Sequence, residues 1–123
     1  MCGRYFFVIL EEMPQRAYLA EFELMVLLTV VRLGDEAYGV PISEELQTVT
    51  GREASLGSVY AALERLAQKG YVASTLADPT PQRGGRAKRY FRATAEGRRA
   101  IDTSRAILNR LWRGIPHFKE VSA

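Results

Sequence analysis

The residues of this 123-residue chain best suited to chemistry are cationic, and they are clustered. Arg83, Arg86, Lys88, Arg89 and Arg92 follow one another with no acid between Asp78 and Glu96. Gly84 and Gly85 sit inside the cluster, where the lack of a Cβ leaves a flexible tip that can approach a partner closely. Like charges brought together without counter-charges favour an anionic partner. A second group lies upstream: the hydroxyls of Ser55, Ser58 and Tyr60 are interleaved with the small residues Gly57 and Ala61, and Arg65 follows. Other chemistries lack their residues. One cysteine, Cys2, excludes an intramolecular disulfide framework and a cysteine-cluster metal site, and one histidine, His117, cannot build a multi-histidine site. There is no nucleophile–base pair and no phosphate-cradling loop. Gly84-Gly85 lies between two strand-like segments, not between a strand and a helix, so it is no nucleotide fingerprint. The sequence therefore predicts no catalytic residues, no metal and no cofactor.

Length and charge bound the rest. A chain of 123 residues with 47% hydrophobic residues suits one domain with a core. The net charge of +3 hides an asymmetry: residues 1–50 sum to −5 and residues 51–123 to +8. A basic second half attracts polyanions, and it equally suits a solvated, salt-bridged surface. No apolar run approaches the roughly 18 residues that span a bilayer. Tyr5–Leu10 is apolar but short, and Glu11 and Glu12 follow it without a cleavage site, so the expected location is cytoplasmic.

These groups need elements to position them. Leu19–Leu33 is apolar on nearly every side and predicts a central helix stopped by Gly34. Val40–Val49 predicts a second helix, with Pro41 in its first turn and Ile42, Leu46 and Val49 on one buried face. Glu44 and Glu45 are expected to suit the positive end of its dipole. Ser55 is a good N-cap for a third helix running to Lys69, which buries Leu56, Val59, Leu63 and Leu66. Its opposite face is small and flat near the start, as if something must approach closely; alanine is also simply a good helix former. Tyr71–Leu76 and Ala87–Ala93 read as strands of a hairpin joined by the breaker-rich 79–86. Thr94 then caps a helix from Ala95 to Arg113.

The order is helix, helix, helix, strand, basic loop, strand, helix. It predicts a mainly α fold with a small β-hairpin (α+β), a winged helix-turn-helix. Such a fold suits duplex DNA, because a helix end with small and hydroxyl side chains fits the major groove while a basic hairpin follows the backbone.

Over 19–113 the chain resembles the PadR-like transcriptional regulators. The resemblance rests on EFELMVLL in the first helix, Ala37-Tyr38-Gly39 before the second, SLGSVYAALERLAQKGYV in the third and RGGRAKRYFRATAEG in the wing. It implies a winged-helix DNA-binding domain over 19–94 and a C-terminal dimerisation helix and tail over 95–123. Residues 1–18 fall outside it and read as an N-terminal extension. It implies a homodimeric repressor that binds double-stranded DNA and releases it on binding a small, often aromatic, effector. Carried onto this sequence, the DNA-binding residues are Tyr38, Ser55, Gly57, Ser58, Tyr60, Ala61, Arg65, Arg83, Gly84, Gly85, Arg86, Lys88 and Arg89. Tyr60 has two roles open to it, a phosphate contact or an ordinary place at the core boundary, and so has Tyr38.

Ile101, Leu108 and Ile115 are spaced by seven, with Leu111 between them and Ile107 and Trp112 alongside. This heptad-like seam predicts a dimer interface; packing on its own domain is the other reading. Trp112 fits that interface or an effector pocket. A different class of function also fits, a winged-helix protein-interaction module without specific DNA binding. Retention on heparin or duplex DNA separates the two.

Overall fold

In the computed structural model, described here for residues 19–77 and 88–116, three helices pack beneath a two-stranded hairpin and a fourth helix leads away. Helix α1, Glu21–Leu33, is the centre: Val26, Leu27 and Val30 are fully buried. It begins two residues after the expected Leu19, with Glu21 and Glu23 in its first turn, where negative charge meets the positive end of the dipole. The buried Thr29 hydroxyl donates to the Met25 carbonyl at 2.7 Å, so no polar atom is stranded there.

A 3₁₀ turn, Gly34–Glu36, leads to α2, Gly39–Thr50. Ile42 and Leu46 are buried as their spacing requires, but Val49 is exposed. It lies almost a turn beyond Leu46, the last covered residue, and the helix ends there at Gly51. Gly51 adopts φ 73°, a left-handed conformation that favours glycine, and its N–H closes on Gln47 at 2.8 Å. Glu44 and Glu45 do not serve the dipole, because the first turn of α2 carries no acid. Glu45 instead accepts from Arg32 Nε at 2.9 Å, bracing α2 against α1.

The turn into α3, Leu56–Gln68, is fixed by Ser43, whose hydroxyl donates to the Ala54 carbonyl at 2.7 Å. Ser55 caps α3 by accepting from Ser58 N at 3.1 Å. Val59, Ala62, Leu63 and Leu66 face the core. Leu56, expected among them, is exposed, since the first helical residue stands past the edge of the packing.

Strands β1, Val72–Leu76, and β2, Arg89–Ala93, pair antiparallel from Val72↔Ala93 to Leu76↔Arg89. Each starts later than expected and ends where expected: Tyr71 is buried ahead of β1 and Lys88 precedes β2, while Ala87 and the glycine turn lie outside the described residues. The Phe91 N–H donates to the Ala37 carbonyl at 2.8 Å, joining the hairpin to the turn before α2. Thr94 caps α4, Ala95–Arg113, by accepting from Gly97 N at 3.0 Å, and its own hydroxyl donates to the Gly70 carbonyl at 2.7 Å. Ala100 is buried and Ile101 partly so, which seats the first turns of α4 on the core. The later turns are exposed: Leu111 is 64% accessible and Trp112 50%. The fold is a winged helix-turn-helix with a C-terminal helix.

Candidate nucleic-acid interface

The outer side of α3 is made of the residues its amphipathic pattern leaves off the core. Gly57, Ser58 and Ala61 are exposed, and a side chain added at Gly57 would meet nothing within 4 Å. A broad object can therefore lie against this surface. The Ser55 and Ser58 hydroxyls are not independent groups: Ser55 Oγ donates to Ser58 Oγ at 2.9 Å while also capping the helix. Ser58 keeps acceptor capacity toward a partner.

Tyr60 is 43% exposed, and its phenol lies against the backbone of Gly39. A Cβ at position 39 would collide with the Tyr60 phenol, so the glycine of Ala37-Tyr38-Gly39 lets that ring lie where it does. The same tripeptide has a buried Ala37, which receives Phe91, and a half-buried Tyr38. The Tyr38 ring meets Tyr90 edge-on at 5.1 Å, and Lys88 Nζ stands 4.1 Å from its centroid. The loop-side end of β2 is thus packed on the entrance to α2 by an aromatic pair and a cation–π contact.

Arg89, next along β2, is exposed and donates from Nη1 to Ser74 Oγ at 3.0 Å across the strand pair. Together Tyr38, Tyr60, Lys88 and Arg89 border a groove of about 770 Å³ between α3 and the hairpin. Leu63 and Phe91 form part of its floor, and Val40, Glu64, Ser74 and Leu76 also line it. Sequence reasoning missed Val40, Ser74 and Leu76, because period and charge mark neither a rim residue nor a cross-strand partner. Arg83, Gly84, Gly85 and Arg86 lie outside the described residues.

Arg65 has a structural partner. Its Nε donates to Glu23 Oε2 at 2.7 Å, and Lys69 Nζ donates to Glu23 Oε1 at 2.7 Å. Glu23 is buried in α1, so these bonds satisfy both carboxylate oxygens and couple α1 to α3. Burial works to raise the Glu23 pKa, but the hydrogen bonds and charges of Lys69 and Arg65 outweigh it and hold the carboxyl below its ordinary value. Among the described residues no group of three acidic, histidine or cysteine side chains is placed to hold a metal, and no helix is long and apolar enough to cross a membrane.

A helix-turn-helix whose third helix shares a groove with a basic hairpin defines the winged-helix class. Residues 27–103 match the Transcriptional regulator PadR-like family, and the chain belongs to that family. Solved structures agree. A transcriptional regulator from Clostridium thermocellum is 24% identical, with 84% of this chain and 94% of that one covered and a TM-score of 0.64. A PadR family transcriptional regulator from Eggerthella lenta is 22% identical, with 93% of each chain covered and a TM-score of 0.61. RosR in the complex hsRosR-S1 is 27% identical over 75% of each chain, with a TM-score of 0.59. No curated protein matches the chain.

Proposed function

We propose that this transcriptional regulator is a homodimeric repressor that binds a two-fold DNA site through α3 and the hairpin and is released by a small ligand. One observation carries the reading: Tyr60 and Glu64 of α3 line one groove with the cations Lys88 and Arg89, and the small residues Gly57, Ser58 and Ala61 stand exposed on the same helix. In this arrangement Gly57, Ser58 and Ala61 approach base edges, while Lys88 and Arg89 engage phosphates and set position. Arg83 and Arg86 add two positive charges in the sequence between the strands and are assigned to phosphates as well. Arg65 acts mainly through Glu23, and Tyr38 through the loop-side end of β2.

The dimer reading rests on α4. Leu108, Leu111 and Trp112 leave exposed apolar surface on its distal half, with exposed Ile115 just past its end, Ile101 packed on the core and Ile107 half-buried. Apolar area repeated at helical spacing is stabilised by a second copy of the same helix. The domain boundary then falls functionally near Thr94, with 19–94 binding DNA and 95–123 pairing. Such a regulator works in the cytoplasm.

The test is selection of bound duplexes from a random pool. Two related half-sites about one helical turn apart, or a small multiple of it, support the reading. Failure to retain any duplex at about 0.15 M salt, where specific complexes persist, overturns it in favour of a protein-interaction module.

A further inference from the structure

Helix α4 carries a second charged surface, which the repressor reading leaves unused. Arg98, Arg99, Arg105, Arg110 and Arg113 are all exposed, and Asp102 is the one acid from Gly97 to Arg113. At 3.6 residues per turn the five arginines fall within roughly 140° of the helix circumference, and Leu108 and Leu111 lie on roughly the opposite side. Along the axis the arginines extend over about 22 Å. Among the described residues none of the five is ion-paired; the cations that are, Arg32, Arg52, Arg65 and Lys69, belong to other elements. Arg105, Arg110 and Arg113 border one shallow hollow of about 530 Å³ with Asp102, Ala106 and Asn109. None of the five borders the groove between α3 and the hairpin.

Helix stability does not account for this surface. Arg110 and Arg113 suit the negative end of the dipole, but Arg98 stands in the first turn, where the dipole disfavours a cation. One carboxylate cannot offset five guanidinium groups, so the surface is suited to a strongly anionic partner. Apart from Ala106 the face has no apolar side chain, so it lacks the anchors on which protein partners bind. Phosphates need none, and all five cations are arginine, whose fork of donors fits phosphate oxygens. We propose that the polar face of α4 holds a second DNA duplex by its phosphates, without regard to sequence, so that one molecule bridges two duplexes. Bridging rests on the DNA reading above for the first duplex; the α4 contact does not.

The experiment uses the full chain and mixed-sequence duplexes of about 30 base pairs at about 0.1 M salt, one held on beads and one carrying a fluorophore. The bead-bound protein is expected to capture the fluorescent duplex with an apparent Kd of about 10⁻⁵ M, as for contacts to phosphates alone. Arg98→Gln, Arg105→Gln, Arg110→Gln and Arg113→Gln together are expected to lower capture about ten-fold, and to leave retention of the protein on the bead duplex within about two-fold. Lysine at the same four positions is expected to keep most of the capture, since charge and not the shape of the helix carries it. Capture unchanged by the glutamine variant would overturn the proposal. So would displacement of the fluorescent duplex by polyglutamate of equal charge, which would make the partner an acidic protein. If the parent captures no second duplex and the glutamine variant binds the first more weakly, α4 serves the flanks of a single site and the proposal falls.

Amide NMR of the full chain with duplex in excess separates the two surfaces. Shifts at Ala106 and Asn109 together with Ser58 and Ser74 are expected. Shifts at Ala106 and Asn109 alone leave the α4 contact standing and remove the DNA reading of α3. Shifts at Ser58 and Ser74 alone leave that reading standing and sink the α4 contact.

Discussion

The phenol of Tyr60 on α3 rests against the backbone of Gly39, the first residue of α2. The ring of one helix of the helix-turn-helix therefore occupies the space that a side chain on the other would take. Gly39→Ala should force Tyr60 aside and lower stability by about 2 kcal/mol, in the range of overpacking. Tyr60→Leu in the Gly39→Ala background should restore part of the loss. Urea unfolding of the two single variants and the double variant reads the coupling, and strict additivity would refute the contact.

Lys88 and Arg89 are expected to act on phosphates. Lys88→Gln with Arg89→Gln should weaken binding to all duplexes alike and flatten the plot of log affinity against log salt by about 0.9 for each lost contact. Titrations at several salt concentrations measure the slope. An unchanged slope would remove both residues from the interface.

Ser55 and Ser58 separate folding from recognition. Ser55→Ala removes the cap of α3 and should cost about 1 kcal/mol of stability. Ser58→Ala keeps the backbone N–H that the cap uses, so stability should hardly change. The ranking of duplex sequences should change instead, and competition among operator variants measures it. A uniform loss across sequences would count against base readout.

Glu23 predicts a pH dependence. Its pKa is lowered in the folded protein, so the stability it contributes is complete above the unfolded value, about 4.3, and is lost as pH falls through the folded value. Glu23→Gln should cost about 2 kcal/mol at neutral pH, because a buried, doubly bonded charge is replaced by weaker neutral contacts. The gap between variant and parent should close on the acid side. Denaturant titrations across acid pH test it, and a constant gap would show that Glu23 does not titrate with folding.

Leu111→Glu places a charge in the exposed stripe of α4. Sedimentation should find the parent dimeric and the variant monomeric, with duplex affinity reduced because two half-sites are no longer linked. A parent that sediments as a monomer would end the dimer reading.

Much of this fold was legible before coordinates. The hydroxyl caps at Ser55 and Thr94 and the stops at Gly34 and Gly51 are local signals, and the helices follow them closely. Val49 and Leu56 misled because periodicity reports a face and not how far the neighbouring elements extend along it. The site was legible in its cations and small residues. Its rim was not, since Val40 and Leu76 come from different elements and meet only through the hairpin's packing. Nor did the pattern disclose that Arg65 answers Glu23, forty-two residues away on another helix.

One main-chain bond, from Phe91 N–H to the Ala37 carbonyl, fastens the hairpin to the segment that launches α2. The two arms that would straddle a duplex are thereby held at one gauge within each copy. In a paired molecule, tolerance for operators of different length must come from how the two α4 helices lie across each other, so mutations that widen the repertoire of sites should collect along that crossing and spare the hairpin's root.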